Sequence, residues 1–259
     1  MNQTFSAKRF AMLFSKHVVE NYKTYLMSAG VLAGILFLGL GLNAYASNGY
    51  LKINTQTGFF IAGLLFAGSI FTSLIFADLG NKKEAIPALT LPASAFEKYL
   101  VSWLITLPIF ILIFTGIFYF VAAVVISFGS SSPGRENHLL NIFSEDQEAY
   151  YAFIIYIFLH AVIFFGAIYF ERLHFIKTAF AFFISVFLLG LINRPILSAM
   201  FDQSVTGTSI FSPVDISNGN EAFQIHAPDV KTATEAIITG IVVLILWTSA
   251  YYKLKEKEV

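Results

Sequence analysis

From Thr24 to Leu51 the chain carries no charged residue. A helix needs about 20 consecutive apolar residues to cross the hydrocarbon core of a bilayer, so this run alone is long enough to span one. Comparable stretches follow near Thr57 to Ala77, Tyr99 to Phe128, Ala149 to Phe170, Phe175 to Ile192 and Ala236 to Tyr252. All six should be helical, because in lipid the backbone groups of an open sheet edge would have no partners. Composition agrees: 57% of the residues are hydrophobic and 12% are charged, against about a quarter charged in a soluble domain. The chain therefore reads as an all-α, polytopic membrane protein whose residues 1–259 form a single transmembrane domain.

The distribution of Lys and Arg gives a direction, since these residues accumulate in cytoplasmic connections. One set of connections holds Lys8, Arg9, Lys16, Lys23, Lys82, Lys83, Lys98, Arg172, Lys177, Lys253, Lys255 and Lys257; the opposite set holds Lys52, Arg135, Arg194 and Lys231. This bias predicts that both termini and residues 80–98 are cytoplasmic. Tyr and Trp residues gather near both ends of the spans, as interfacial belts require.

Ala44-Tyr45-Ala46 has the small-x-small form of a signal-peptidase site. The apolar run before it is longer than a secretory signal uses, so the first span is expected to be retained. Ahead of that span, Phe10, Leu13, Phe14 and Val18 recur at helical spacing, with Arg9, Lys16 and Glu20 elsewhere. That pattern predicts an amphipathic helix within residues 1–23, lying in the inner interface.

Residues 80–98 connect the second and third spans. Asn81 to Leu91 has the length for a short helix, which Pro92 ends because the residue before a proline avoids the helical region. Ser94-Ala95-Phe96-Glu97 then has the form of a capping box, with the Ser94 hydroxyl accepting from the Glu97 amide and the Glu97 carboxylate reaching back. A new helix should start there and run into the third span. Taken alone, the pattern fits an ordinary well-capped connection equally well.

The segment Lys82-Lys83-Glu84-Ala85-Ile86-Pro87-Ala88-Leu89-Thr90-Leu91-Pro92-Ala93-Ser94-Ala95-Phe96-Glu97 resembles the cytoplasmic loop of ABC transporter permeases of the type 2 exporter family. The matching positions are Glu84, Leu89, Thr90, Pro92, Ser94 and Glu97. Where that family often carries Arg-Glu-Arg-Gly, this chain has Gly80-Asn81-Lys82-Lys83. The general layout is similar too: an interfacial "elbow" helix, six spans, both ends inside, and a longer outer segment at 193–235 before the last span. The resemblance implies a permease subunit of a bacterial inner membrane that pairs with a second permease subunit. It also implies that the six matching residues couple the chain to a separate ATPase subunit. ATP would be bound by that partner, and no cofactor by this chain. The sequence contains no G-x-x-x-x-G-K-[ST] segment and so no phosphate-cradling loop of its own. A non-transporting anchor or regulatory subunit would have the same general features.

The cysteine count is zero, which excludes disulfides, thiolate metal sites and a cysteine nucleophile. No metal-binding spacing such as H-E-x-x-H occurs. His160 falls near the middle of the fourth span, where an ionisable group is costly. It is either a neutral ring bonded between helices or part of a polar pathway. Asp78, Glu171 and Glu235 fall at span ends, within reach of water. Gly30-x-x-x-Gly34 permits close helix approach, either to another subunit or within this one. The outer segment 129–148 reads as a flexible acidic loop. In 193–235, residues 196–201 are apolar enough to dip into the outer interface.

Overall fold

The computed structural model describes residues 5–76, 93–129, 137–144, 148–170, 173–201, 204–205, 214–218, 221–225 and 231–257. Among these, six helices are long and apolar enough to cross a membrane. They are α1 (Ala7–Ala46), α2 (Ile53–Leu74), α3 (Ala95–Phe128), α4 (Tyr151–Tyr169), α5 (His174–Phe201) and α6 (Lys231–Lys257). The chain is thus a multi-pass, six-helix membrane protein. The first five apolar runs fall within the first five helices to within a few residues at the ends, and the run at Ala236 to Tyr252 lies inside α6.

No helix boundary falls at Lys23. The amphipathic segment and the first span form one helix of 40 residues. At 1.5 Å per residue it is about 60 Å long, roughly twice the ~30 Å hydrocarbon core. No proline interrupts it, and glycine is well tolerated in membrane helices. It stops at Asn48, whose φ of 55° is left-handed. There Gly49 N–H returns to the Ala44 carbonyl at 2.8 Å and Asn48 N–H to the Tyr45 carbonyl at 3.2 Å, the bond pattern of a Schellman stop.

Helix α5 also overruns its expected end, continuing through Pro195 to Phe201, so the apolar turn at 196–201 prolongs a span. Beyond it lies a small antiparallel sheet, β1 (Ser204–Val205), β2 (Val214–Asn218) and β3 (Glu221–Ile225), in the order β1-β2-β3. Val214 pairs with Ile225 and Asn218 with Glu221. The long segment 193–235 before the last span therefore includes strands.

Helix α4 is the central element, packed against α2, α5 and α6, while α1 lies along α3 and α2. With lipid as apolar as the helices, association depends on close packing and interhelical hydrogen bonds. At Gly68 a Cβ would run into the Tyr156 ring, and at Gly166 into Thr178. These are the points where α2 approaches α4 and α4 approaches α5. Two apolar cores result. The larger centres on Phe60, Phe114, Phe118 and Tyr156, all fully buried, with Phe60 in ring contact with Phe114 and Phe118 at 5.5 and 5.1 Å. The smaller joins Phe76, Tyr99, Phe164, Ala250 and Leu254. Trp103 packs against both.

Part of the 129–148 segment is held firmly. Gln56, with no exposed surface, donates from Nε2 to the His138 carbonyl at 2.8 Å and the Leu51 carbonyl at 3.3 Å, and its Oε1 accepts from Leu140 N–H at 3.0 Å. Asn137 accepts from Leu51 N–H and donates to the Gly49 carbonyl, both at 2.9 Å. Leu140 and Ile142 are buried in the larger core. Residues 137–142 thus form a plug between the end of α1, the start of α2 and the end of α3.

Candidate functional site

The start of α3 carries the most developed polar arrangement near a helix end. Ser94 is the N-cap, its hydroxyl accepting from Glu97 N–H at 3.2 Å, and Glu97 Oε2 accepts from Ser94 N–H at 3.0 Å. This is the reciprocal capping box that the sequence predicts. Its second oxygen does something the sequence pattern did not reveal. Glu97 Oε1 accepts from Ser6 N–H at 2.7 Å and from Arg9 Nη2 and Nε at 2.9 and 3.3 Å. Ser6 is the N-cap of α1 and Arg9 lies in its first turn. One carboxylate therefore fastens the beginnings of two helices that are about ninety residues apart in sequence.

The electrostatics suit that position. Glu97 has no exposed surface, whereas the Arg9 side chain is 30% exposed. A buried charge needs both a counter-charge and hydrogen bonds to its remaining lone pairs, and Glu97 has both. An acidic group in the first turn also interacts favourably with the positive end of the α3 dipole. Around the joint, Phe96 makes edge contacts with Phe5 of the N-terminal segment and Tyr251 of α6, and the Tyr99 hydroxyl donates to the Trp247 carbonyl at 3.1 Å. The joint thus ties α1, α3 and α6 together. Of the six positions that match the permease loop, Ser94 and Glu97 come together here; Glu84, Leu89, Thr90 and Pro92 lie outside the described residues.

His160 is fully buried and satisfied on both ring nitrogens. The Trp247 indole N–H, which can only donate, points at Nδ1 from 3.3 Å, and Thr106 Oγ1 lies 2.9 Å from Nε2. The neutral ring therefore carries its proton on Nε2 and donates to Thr106, whose hydroxyl donates in turn to the Ser102 carbonyl at 2.7 Å. Protonating Nδ1 would set two N–H groups against each other. His160 of α4 thus bridges to Thr106 of α3 and Trp247 of α6. Trp247 and Thr106 are partners that sequence spacing could not identify, because they come from other helices, α6 and α3.

At Gly30 and Gly34 an added Cβ would meet nothing within 4 Å. Their face of α1 is exposed, so among the described residues they pack against none.

Fold and joint together define a helical, multi-pass membrane protein whose described polar groups mainly hold helices to one another. Compared with known proteins, the chain matches no family model, no curated protein and no solved structure.

Proposed function

We propose that this chain is the membrane-spanning permease subunit of an ABC transporter, working in a bacterial inner membrane with a separate ATPase subunit. The observation that carries the reading is the Glu97 joint. A cytoplasmic loop that receives a push from an ATPase must pass it to the membrane helices without losing it in a flexible hinge. The capping box stiffens the exit of residues 80–98 into α3, and the Arg9 and Ser6 bonds carry the load into α1 as well. The Lys and Arg bias supports cytoplasmic termini and a cytoplasmic 80–98 segment. The open Gly30 and Gly34 face supports pairing with a second permease subunit.

The absence of native cysteines makes the test direct. A single Lys83→Cys carrying a photoreactive crosslinker, illuminated in native membranes, is expected to capture a soluble subunit with a phosphate-binding loop. Ser94→Pro, which removes both the cap hydroxyl and the N–H that Glu97 accepts, is expected to abolish stimulation of that ATPase while insertion persists. Capture confined to membrane proteins without ATPase motifs, despite good labelling, would replace this reading with that of an anchoring subunit.

A further inference from the structure

Helix α3 is not uniform. Residues Ile105–Ile109 form a π turn containing Pro108, between α-helical segments Ala95–Leu104 and Phe110–Phe128. Pro108 has no N–H for the Leu104 carbonyl four residues back. Phe110 N–H reaches five residues back, to the Ile105 carbonyl, where a regular α-helix would bond Thr106. Proline and π turns are the usual places where a long helix bends.

Three further observations concern the same turn. The buried residues of the two halves of α3 sit in different cores, Phe110, Phe114 and Phe118 in the larger and Tyr99 in the smaller, with Trp103, just before the turn, touching both. The turn is held from outside its own helix, since the Tyr156 hydroxyl of α4 donates to the Thr106 carbonyl at 2.6 Å and His160 bonds the Thr106 side chain. On the side facing α1, Ile105 and Ile109 line an apolar groove of about 510 Å³ between α1, α2 and α3, open at the surface, since Met27, Ile35 and Ile113 on its walls are exposed.

From these we infer that α3 is hinged at Ile105–Ile109, with Tyr156 as the latch. Segment 95–104 swings with the Glu97 joint while 110–128 stays fixed in the larger core, and the open groove beside Ile105 and Ile109 leaves the turn unpacked on that side. The hinge operates whatever partner pulls on the joint, so it stands apart from the transport reading.

Spin labels on introduced cysteines would test this in lipid nanodiscs. The inner pair is Phe96 and Phe180; the control pair, across the fixed half, is Phe120 and Phe180. All three sites are exposed. Tyr156→Phe keeps the ring but removes the donor, and losing one hydrogen bond of ordinary net strength should shift the latched population about five-fold. The inner-pair distances should redistribute accordingly while the control pair stays unchanged. Pro108→Ala restores the missing N–H and should leave one narrow inner-pair distance. Inner-pair distributions unaffected by Tyr156→Phe, or inner and control pairs changing together, would overturn the hinge. Should Pro108→Ala fail to fold, the Tyr156→Phe comparison decides alone.

Discussion

Replacing Glu97 by Gln isolates what the carboxylate contributes at the joint. The side chain keeps its volume, but a carboxamide can present its oxygen to only one side. If that oxygen faces Ser6 and Arg9, its NH₂ opposes Ser94 N–H, and half of the capping box becomes donor against donor. Loss of a helix cap costs about 1 kcal/mol. Losing the ionic character of the Arg9 bonds costs about 1 to 2 kcal/mol, at the lower end because the guanidinium is partly exposed and rehydrates. The sum is a destabilisation of about 2 to 3 kcal/mol.

Reversible unfolding in mixed micelles, titrated with a denaturing detergent, would measure it for Glu97→Gln, Arg9→Met and the double variant. Groups in direct contact should show a coupling of about 1 to 2 kcal/mol. A Glu97→Gln variant within about 0.5 kcal/mol of the parent, or single effects that simply add, would refute the joint as described here.

Other features give sharper local tests. Gln56→Leu should cost about 2 to 3 kcal/mol by stranding the Leu140 N–H and the His138 carbonyl, and faster amide exchange at residues 138–142 would report it. Gly68→Ala forces a methyl against the Tyr156 ring and should destabilise by about 1 to 3 kcal/mol, read in the same unfolding titration. At Gly34 an added Cβ meets no described atom within 4 Å, so unfolding of an isolated Gly34→Leu subunit should stay within about 0.5 kcal/mol of the parent. Self-association in nanodiscs should fall if that face pairs with another copy.

What could be read from the sequence depended on how local each cause was. The spans were legible because apolar length alone sets them, and the capping box because Ser94 and Glu97 are three residues apart. Arg9 as the partner of Glu97 was not, because their meeting depends on α1 lying along α3. The single helix through Lys23 was hidden by a change of pattern, from amphipathic to wholly apolar, that looks like a boundary although nothing breaks the backbone. His160 stood out as a buried ionisable group, but its role depended on Trp247 and Thr106, which come from other helices. Strands β2 and β3 were obscured by the Pro, Gly and Asn residues around them, which mark turns more strongly than short alternating stretches mark strands.

Gln56 also bears on how the protein is made. Its amide partners at 138 and 140 lie beyond α3, so during synthesis they emerge only after α3 has been produced. Until they are in place, the carboxamide keeps only its bond to the Leu51 carbonyl and the start of α2 stays unsealed. An α3 left outside the bilayer would leave that side chain without its His138 and Leu140 partners, making Gln56 a built-in check that the second and third spans have threaded as a pair.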